Sequence, residues 1–107
     1  MRRAAFILFL LSALPSLADE FFKKDILPVL NKHCFNCHGE KKQKGDLRLD
    51  TLDPDIVHGT SAERWHDALN KINLGEMPPE KEPTLTNSER RKLTTWITQR
   101  LKLAAET

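Results

Sequence analysis

One short run, His33-Cys34-Phe35-Asn36-Cys37-His38-Gly39, limits what this chain can fold into more than any other. At its centre is a Cys-x-x-Cys-His pattern, the arrangement used for covalent attachment of a c-type haem. Two thiols three positions apart can reach the two vinyl groups on one edge of a porphyrin and form thioethers. The residue that follows, His38, then projects toward the ring centre, where its imidazole can serve as the proximal iron ligand. Gly39 lets the backbone leave the ring edge without a side chain in the way. Cys34 and Cys37 are the only cysteines in the chain, so the pattern uses both.

Other chemistries share part of this pattern. A bare Cys-x-x-Cys could be a redox disulfide, a structural disulfide or half of a zinc site. A zinc site needs a second close ligand pair, and none follows. A thioredoxin-like motif needs a strand–helix setting and no histidine directly after it. The histidine in place, together with the leader described next, favours haem.

Residues 1–18 read as a secretory signal peptide. Arg2 and Arg3 form a charged start, Ala4 to Leu14 is apolar except for Ser12, and Ser16-Leu17-Ala18 offers small residues at a cleavage site. The apolar run is shorter than the ~20 residues a membrane span requires, and no cysteine stands at the cleavage point to carry a lipid. An uncleaved anchor is the competing reading. Cleavage after Ala18 would leave residues 19–107 as one domain in the periplasm or secreted, with no stable membrane anchor. Removing 18 of 107 residues takes two of 17 basic side chains and none of the 15 acidic ones, leaving 89 residues of zero formal charge. Nothing in that balance points to nucleic acid. A core this small is marginal alone, and one covalent haem would supply the apolar centre that an aromatic content of 7% does not.

Helical periodicity predicts three main helices. The first spans Glu20 to about Lys32, with Phe22, Ile26, Val29 and Leu30 on one face and Pro28 as a disturbance. The second spans Thr60 to about Leu74, with Trp65, Leu69 and Ile72 inward and a Thr60–Glu63 capping box. The third spans Thr86 to about Leu103, opened by a Thr86–Glu89 capping box, with Leu93, Trp96, Ile97 and Leu101 as its core stripe against the first helix; Ala104 to Thr107 are expected to fray. Asp53-Pro54 resembles an N-cap and first helical position that starts a short turn through Ile56 and Val57, ended by Gly59. Between Glu40 and Asp50, Leu47 and Leu49 are expected to turn inward. Lys41, Lys42, Lys44 and Arg48 could form a basic rim that steers an acidic redox partner, although an ordinary solvated loop is the preferred reading.

Met77 is the one methionine of residues 19–107. A thioether is a soft neutral ligand suited to haem iron opposite a histidine, and Pro78 and Pro79 stiffen the loop that carries it. A core methionine filling a gap is the plainer alternative. His33, His58 and His66 are expected to be surface or internally satisfied histidines rather than iron ligands.

The order helix, Cys-x-x-Cys-His, loop, helix, Met, helix is similar to the small class I cytochrome c fold, an all-α architecture of three main helices and loops wrapped around one covalent haem. More narrowly, Cys34 to Gly39, Lys44-Gly45-Asp46-Leu47-Arg48-Leu49-Asp50-Thr51, Glu76-Met77-Pro78-Pro79 and Leu93-Thr94-Thr95-Trp96-Ile97 resemble the planctomycete-type cytochrome c domain over almost all of residues 20–103. The resemblance implies His38 and Met77 as axial ligands, and Cys34 and Cys37 as the thioether positions of haem c. Thr98-Gln99-Arg100 depart from it, continuing the helix where relatives often place glycine. Domains of this type usually front larger secreted proteins, so the chain reads either as a stand-alone carrier or as a shortened relative. The expected function is single-electron transfer to a redox partner protein, with both axial positions filled and no catalytic residue. A haem enzyme or sensor with a displaceable Met77, and a haem module docking onto an exported enzyme, are the alternatives.

Overall fold

In the computed structural model, residues 17–107 are described. The leader assigned to residues 1–18 lies outside them except for Leu17 and Ala18, which open the first helix. Among the described residues there are helices and loops and no named strand. The elements are α1 (Leu17–Phe21), a π-helical turn (Phe22–Ile26), α2 (Leu27–His33), a 3-10 turn (Lys44–Asp46), α3 (Ala62–Asn73) and α4 (Asn87–Ala105).

The predicted first helix is thus α1, the π turn and α2 end to end, and Pro28 explains the middle piece. Proline offers no N–H, and its ring crowds the carbonyl four residues back, here that of Lys24. The backbone relieves this by widening just ahead of the proline, so that Leu27 N–H bonds to Phe22 O, five residues earlier. The widened segment still presents Phe22 and Ile26 inward. Ile26 and Leu30 are fully buried, and Val29 is buried as well.

α3 differs from expectation at its start. The Thr60–Glu63 capping box does not form; the helix begins at Ala62, with Ser61 as its N-cap and no side-chain cap bond. The Ser61 hydroxyl instead donates to Asp53 O at 2.9 Å, the carbonyl that also accepts from Trp65 Nε1 at 2.8 Å. That one carbonyl fastens the 53–59 segment to α3. The segment itself holds the expected short turn through Ile56 and Val57, closed by Gly59 N–H onto Asp55 O at 2.9 Å. Its polar groups bond locally, with Asp55 N–H donating to the Asp53 carboxylate and His58 N–H to that of Asp55.

α4 begins as predicted. Thr86 Oγ1 accepts from Glu89 N at 3.0 Å, and Glu89 Oε1 accepts from Thr86 N at 2.9 Å. The helix continues to Ala105, two residues past its expected end, through the segment expected to fray. Leu93, Trp96 and Ile97 are buried and Leu101 is half-buried. Three rings join the helices at the centre. Phe22 and Trp96 lie 5.1 Å apart between centroids, and Trp65 meets Trp96 edge-on at 5.1 Å and 82°. Each fully buried aliphatic side chain in this core contributes roughly 1.5–3 kcal/mol. The core therefore ties the first helix to α3 and α4 and leaves a space between α2, α3 and the connecting loops.

Candidate functional site

The Cys-x-x-Cys-His run continues directly from α2. Cys34 N–H and Phe35 N–H both bond to Leu30 O, at 2.8 and 3.0 Å, and His38 N–H closes a further turn onto Cys34 O at 3.0 Å. The loop therefore keeps helical spacing across the two cysteines. Gly39 is required where it stands, because a Cβ there would run into the carbonyl oxygen of Phe35. The chain then doubles back, with Gly39 N–H to Lys42 O and Lys44 N–H to Cys37 O, at 2.8 and 2.9 Å. Gly45 (φ +67°) and Asp46 (φ +57°) make the left-handed turn that follows.

His38 is buried and held twice by the segment that returns. Its carbonyl accepts from Leu49 N–H at 2.8 Å, and its ring Nδ1 lies 3.2 Å from Leu47 O. A carbonyl can only accept, so Nδ1 carries the proton and the Nε2 lone pair is left free. This is the tautomer and the orienting contact that a metal-binding histidine needs. As expected, Leu47 and Leu49 turn inward to the same space.

Both cysteines are free thiols. The Cys34 thiol is pushed up to about 11, first by burial and then by Cys37 beside it. A redox-active Cys-x-x-Cys works through a depressed thiol, so this shift runs against disulfide-exchange chemistry. Nor do the described residues contain a cluster of three or more histidine, cysteine or acidic side chains able to hold a metal ion, which a zinc site would need.

Met77 is placed by the end of α3. Gly75 (φ +75°) donates to Ile72 O at 3.1 Å and Glu76 N–H to Lys71 O at 2.9 Å, the paired bonds of a Schellman C-cap. Met77 N–H adds a third bond, to Lys71 O at 3.3 Å. The Lys71 ammonium pairs with the Glu76 carboxylate at 2.9 Å, and that hydrogen bond raises the lysine above its ordinary range. Met77, Pro78 and Pro79 are half-buried.

The four residues expected at the site line one cavity of about 560 Å³, within the size range of small-molecule and cofactor pockets. Cys34, Cys37 and His38 come to it from the loop after α2. Ala68 and Ile72 come from α3, Met77 to Pro79 from the loop after it, and Leu85 and Leu93 from the approach to α4 and from α4 itself. Lys44, Arg64 and Lys71 bring positive charge to the same cavity. Of the basic run, Lys41, Lys42 and Lys44 are exposed, while Arg48 is engaged with Asp50 through two bonds of 2.8 and 2.9 Å.

The donor set fits a covalent haem: two thiols at the attachment spacing, an imidazole with its outer nitrogen free, and a thioether in the same mostly apolar cavity. The other histidines are engaged elsewhere. His33 also borders the cavity, yet its buried ring bonds on both sides, Nδ1 to Pro83 O at 3.0 Å and Nε2 to Glu89 Oε1 at 3.1 Å. His58 lies against Asp55, and His66 faces Asn70 at the surface. Sequence reasoning did not find the partners of His33, nor the bond from Arg90 Nη1 to Ile72 O at 2.9 Å. Only the Thr86–Glu89 box signalled that the start of α4 was structured.

Residues 34–81 match the family model described as Planctomycete cytochrome C. The match runs from the first cysteine to four residues past Met77, so it contains every residue assigned to the site. No curated protein and no solved structure matches the chain.

Proposed function

We propose that this chain, which carries a planctomycete-type cytochrome c domain, is an exported single-electron carrier whose haem c is held by His38 and Met77. The observation that carries the reading is the shared cavity, which gathers Cys34, Cys37, His38 and Met77 from segments up to 43 positions apart. The family implies haem c, and when bound that group supplies an iron centre that changes oxidation state by one electron.

The protein's residues account for the rest. Cys34 and Cys37, free thiols at the attachment spacing, would hold the edge of the ring to the loop after α2 through thioethers. His38 offers Nε2 because Leu47 O holds the proton on Nδ1. Met77 offers a neutral sulfur from a loop anchored on the C-cap of α3. His38 and Met77 together would leave no open position for a substrate at the iron, which favours electron transfer over catalysis or sensing. The mostly apolar lining would limit the access of water to the group.

Residues 1–18 act as the leader in this reading and residues 19–107 as the exported domain. Among the described residues no helix is long and apolar enough to cross a membrane. A redox protein is the partner class, and the exposed Lys41, Lys42 and Lys44 beside the attachment loop would favour an acidic one.

The test is expression with a haem-attachment system in the periplasm. The chain should be recovered from that compartment with haem that survives a denaturing gel, and should titrate as a one-electron couple. Recovery without covalent haem, or a Cys34→Ala/Cys37→Ala variant that retains it, would refute the assignment.

A further inference from the structure

We propose that Glu89 and Arg90, neighbours in the first turn of α4, are positioning residues that bracket the Met77 loop and hold its sulfur at the depth of an axial ligand. The proposal rests on the reading of Met77 as that ligand and goes beyond it, since neither residue borders the cavity.

Two bonds from the start of α4 reach the two flanks of one loop. Ahead of Met77, Arg90 Nη1 donates to Ile72 O at 2.9 Å. Ile72 O is also the acceptor for Gly75 N–H in the C-cap of α3. Arg90 therefore seals the cap from which Met77 is launched five residues later, and a guanidinium on a helix C-terminal carbonyl gains from the helix dipole as well. Behind Met77, Glu89 works through a relay. Its Oε1 lies 3.1 Å from His33 Nε2, and His33 Nδ1 donates to Pro83 O at 3.0 Å; with an acceptor on each side, the ring makes both bonds when it carries a proton on each nitrogen. The His33 side chain has no solvent exposure, so water cannot replace either bond. Pro83 lies six residues after Met77, and a turn from Pro79 O to Glu82 N–H at 2.9 Å shortens the path between them.

The span from Ile72 to Pro83 is thus fixed at both ends by adjacent residues of one rigid helix turn. That turn is itself capped by Thr86, and Glu89 serves cap and relay with the same oxygen. His33 stands immediately before Cys34, so the relay also ties the Met77 loop to the loop carrying the thiols and His38. Without the bracket, the loop keeps its sequence and its prolines but loses its fixed distance from α2. Local opening of an under-anchored loop would let its sulfur move away from the cavity.

The test uses the haem-loaded protein and four variants: Arg90→Ala, Arg90→Lys, His33→Phe and His33→Gln. Val29→Ala serves as a control that weakens the core away from the cavity. Two readouts report the iron–sulfur bond and not stability: the weak long-wavelength charge-transfer band of iron(III) bound to methionine, and the rate of carbon monoxide binding to the reduced protein. Arg90→Ala and His33→Phe are each expected to lose at least half of the band at neutral pH and to bind carbon monoxide at least tenfold faster. Arg90→Lys and His33→Gln, which keep a donor, should fall between these and wild type. Val29→Ala should change neither readout at a comparable loss of Tm. A full band and wild-type binding rates in both Arg90→Ala and His33→Phe would overturn the bracket, as would an equal change in Val29→Ala. A wild type with no such band would overturn the reading of Met77 itself, and the bracket with it.

Discussion

Replacing Glu89 by alanine removes one carboxylate with three partners, and the structure allows the consequence to be sized. The bond to Thr86 N–H is half of a capping box, worth ~1 kcal/mol. Losing the contact with His33 Nε2 leaves a ring nitrogen wholly shielded from water without a partner, and an unpaired buried polar group costs ~1–3 kcal/mol. The pair with Lys32 at 3.6 Å joins a lysine side chain that is 58% exposed, and contributes at most ~0.5 kcal/mol. Glu89→Ala is therefore expected to lose roughly 2–4 kcal/mol, a large part of the ~5–15 kcal/mol that holds a typical domain together. In a thermal melt of the haem-loaded protein this corresponds to a drop of about 10–20 °C. Glu89→Gln keeps an acceptor for both N–H groups and should lose about 1 kcal/mol. The pH dependence has a definite sign. The Glu89 carboxyl is lowered from 4.5 to about 2, chiefly by the Thr86 N–H, so its stabilisation is present above about 4.5 and is lost as the pH falls toward 2. Wild type should lose this increment over that window, and Glu89→Gln should not. A loss below 0.5 kcal/mol in Glu89→Ala, or the same acid slope in Glu89→Gln as in wild type, would refute the reasoning.

Other outcomes follow from single contacts. Gly39→Ala drives a methyl group into the Phe35 carbonyl and must open the attachment loop, so the yield of covalently loaded protein, measured by haem stain against total protein, should fall several-fold. Trp65→Phe removes the indole donor to Asp53 O while Ser61 still bonds there; ~1–2 kcal/mol should be lost in denaturant unfolding, with the absorption spectrum unchanged. Lys32→Ala should stay within ~0.5 kcal/mol of wild type, because its partner keeps two other bonds.

The parts of the site that were legible in the sequence are those set by local geometry. Cys34, Cys37 and His38 lie within one turn, and their spacing alone states their relation. The end of the second helix at about Leu74, shortly before Met77, was readable from its periodicity, and the start of α4 because Thr86 and Glu89 are three apart. Pro28 announced a disturbance but not its form, since a kink and a π turn both relieve the same clash. The α3 cap was misread because Ser61 spends its hydroxyl on Asp53 O, eight residues back, rather than on its own helix. His33 is the clearest limit. Its partners Pro83 and Glu89 lie 50 and 56 residues away, and no periodicity links them. The same holds for Leu85, a buried cavity residue within a polar connection that carries no pattern of its own.

The central claim is that the chain fills both axial positions of its haem, His38 on one side and Met77 on the other, and therefore transfers electrons without binding substrate at iron. Carbon monoxide binding to the reduced protein at neutral pH tests this most directly, with Met77→Ala as the opened reference. The account predicts little or no binding to wild type and ready binding to Met77→Ala. Rapid, complete binding to wild type would contradict it and would assign the cavity to a sensor or an enzyme with a vacant sixth position.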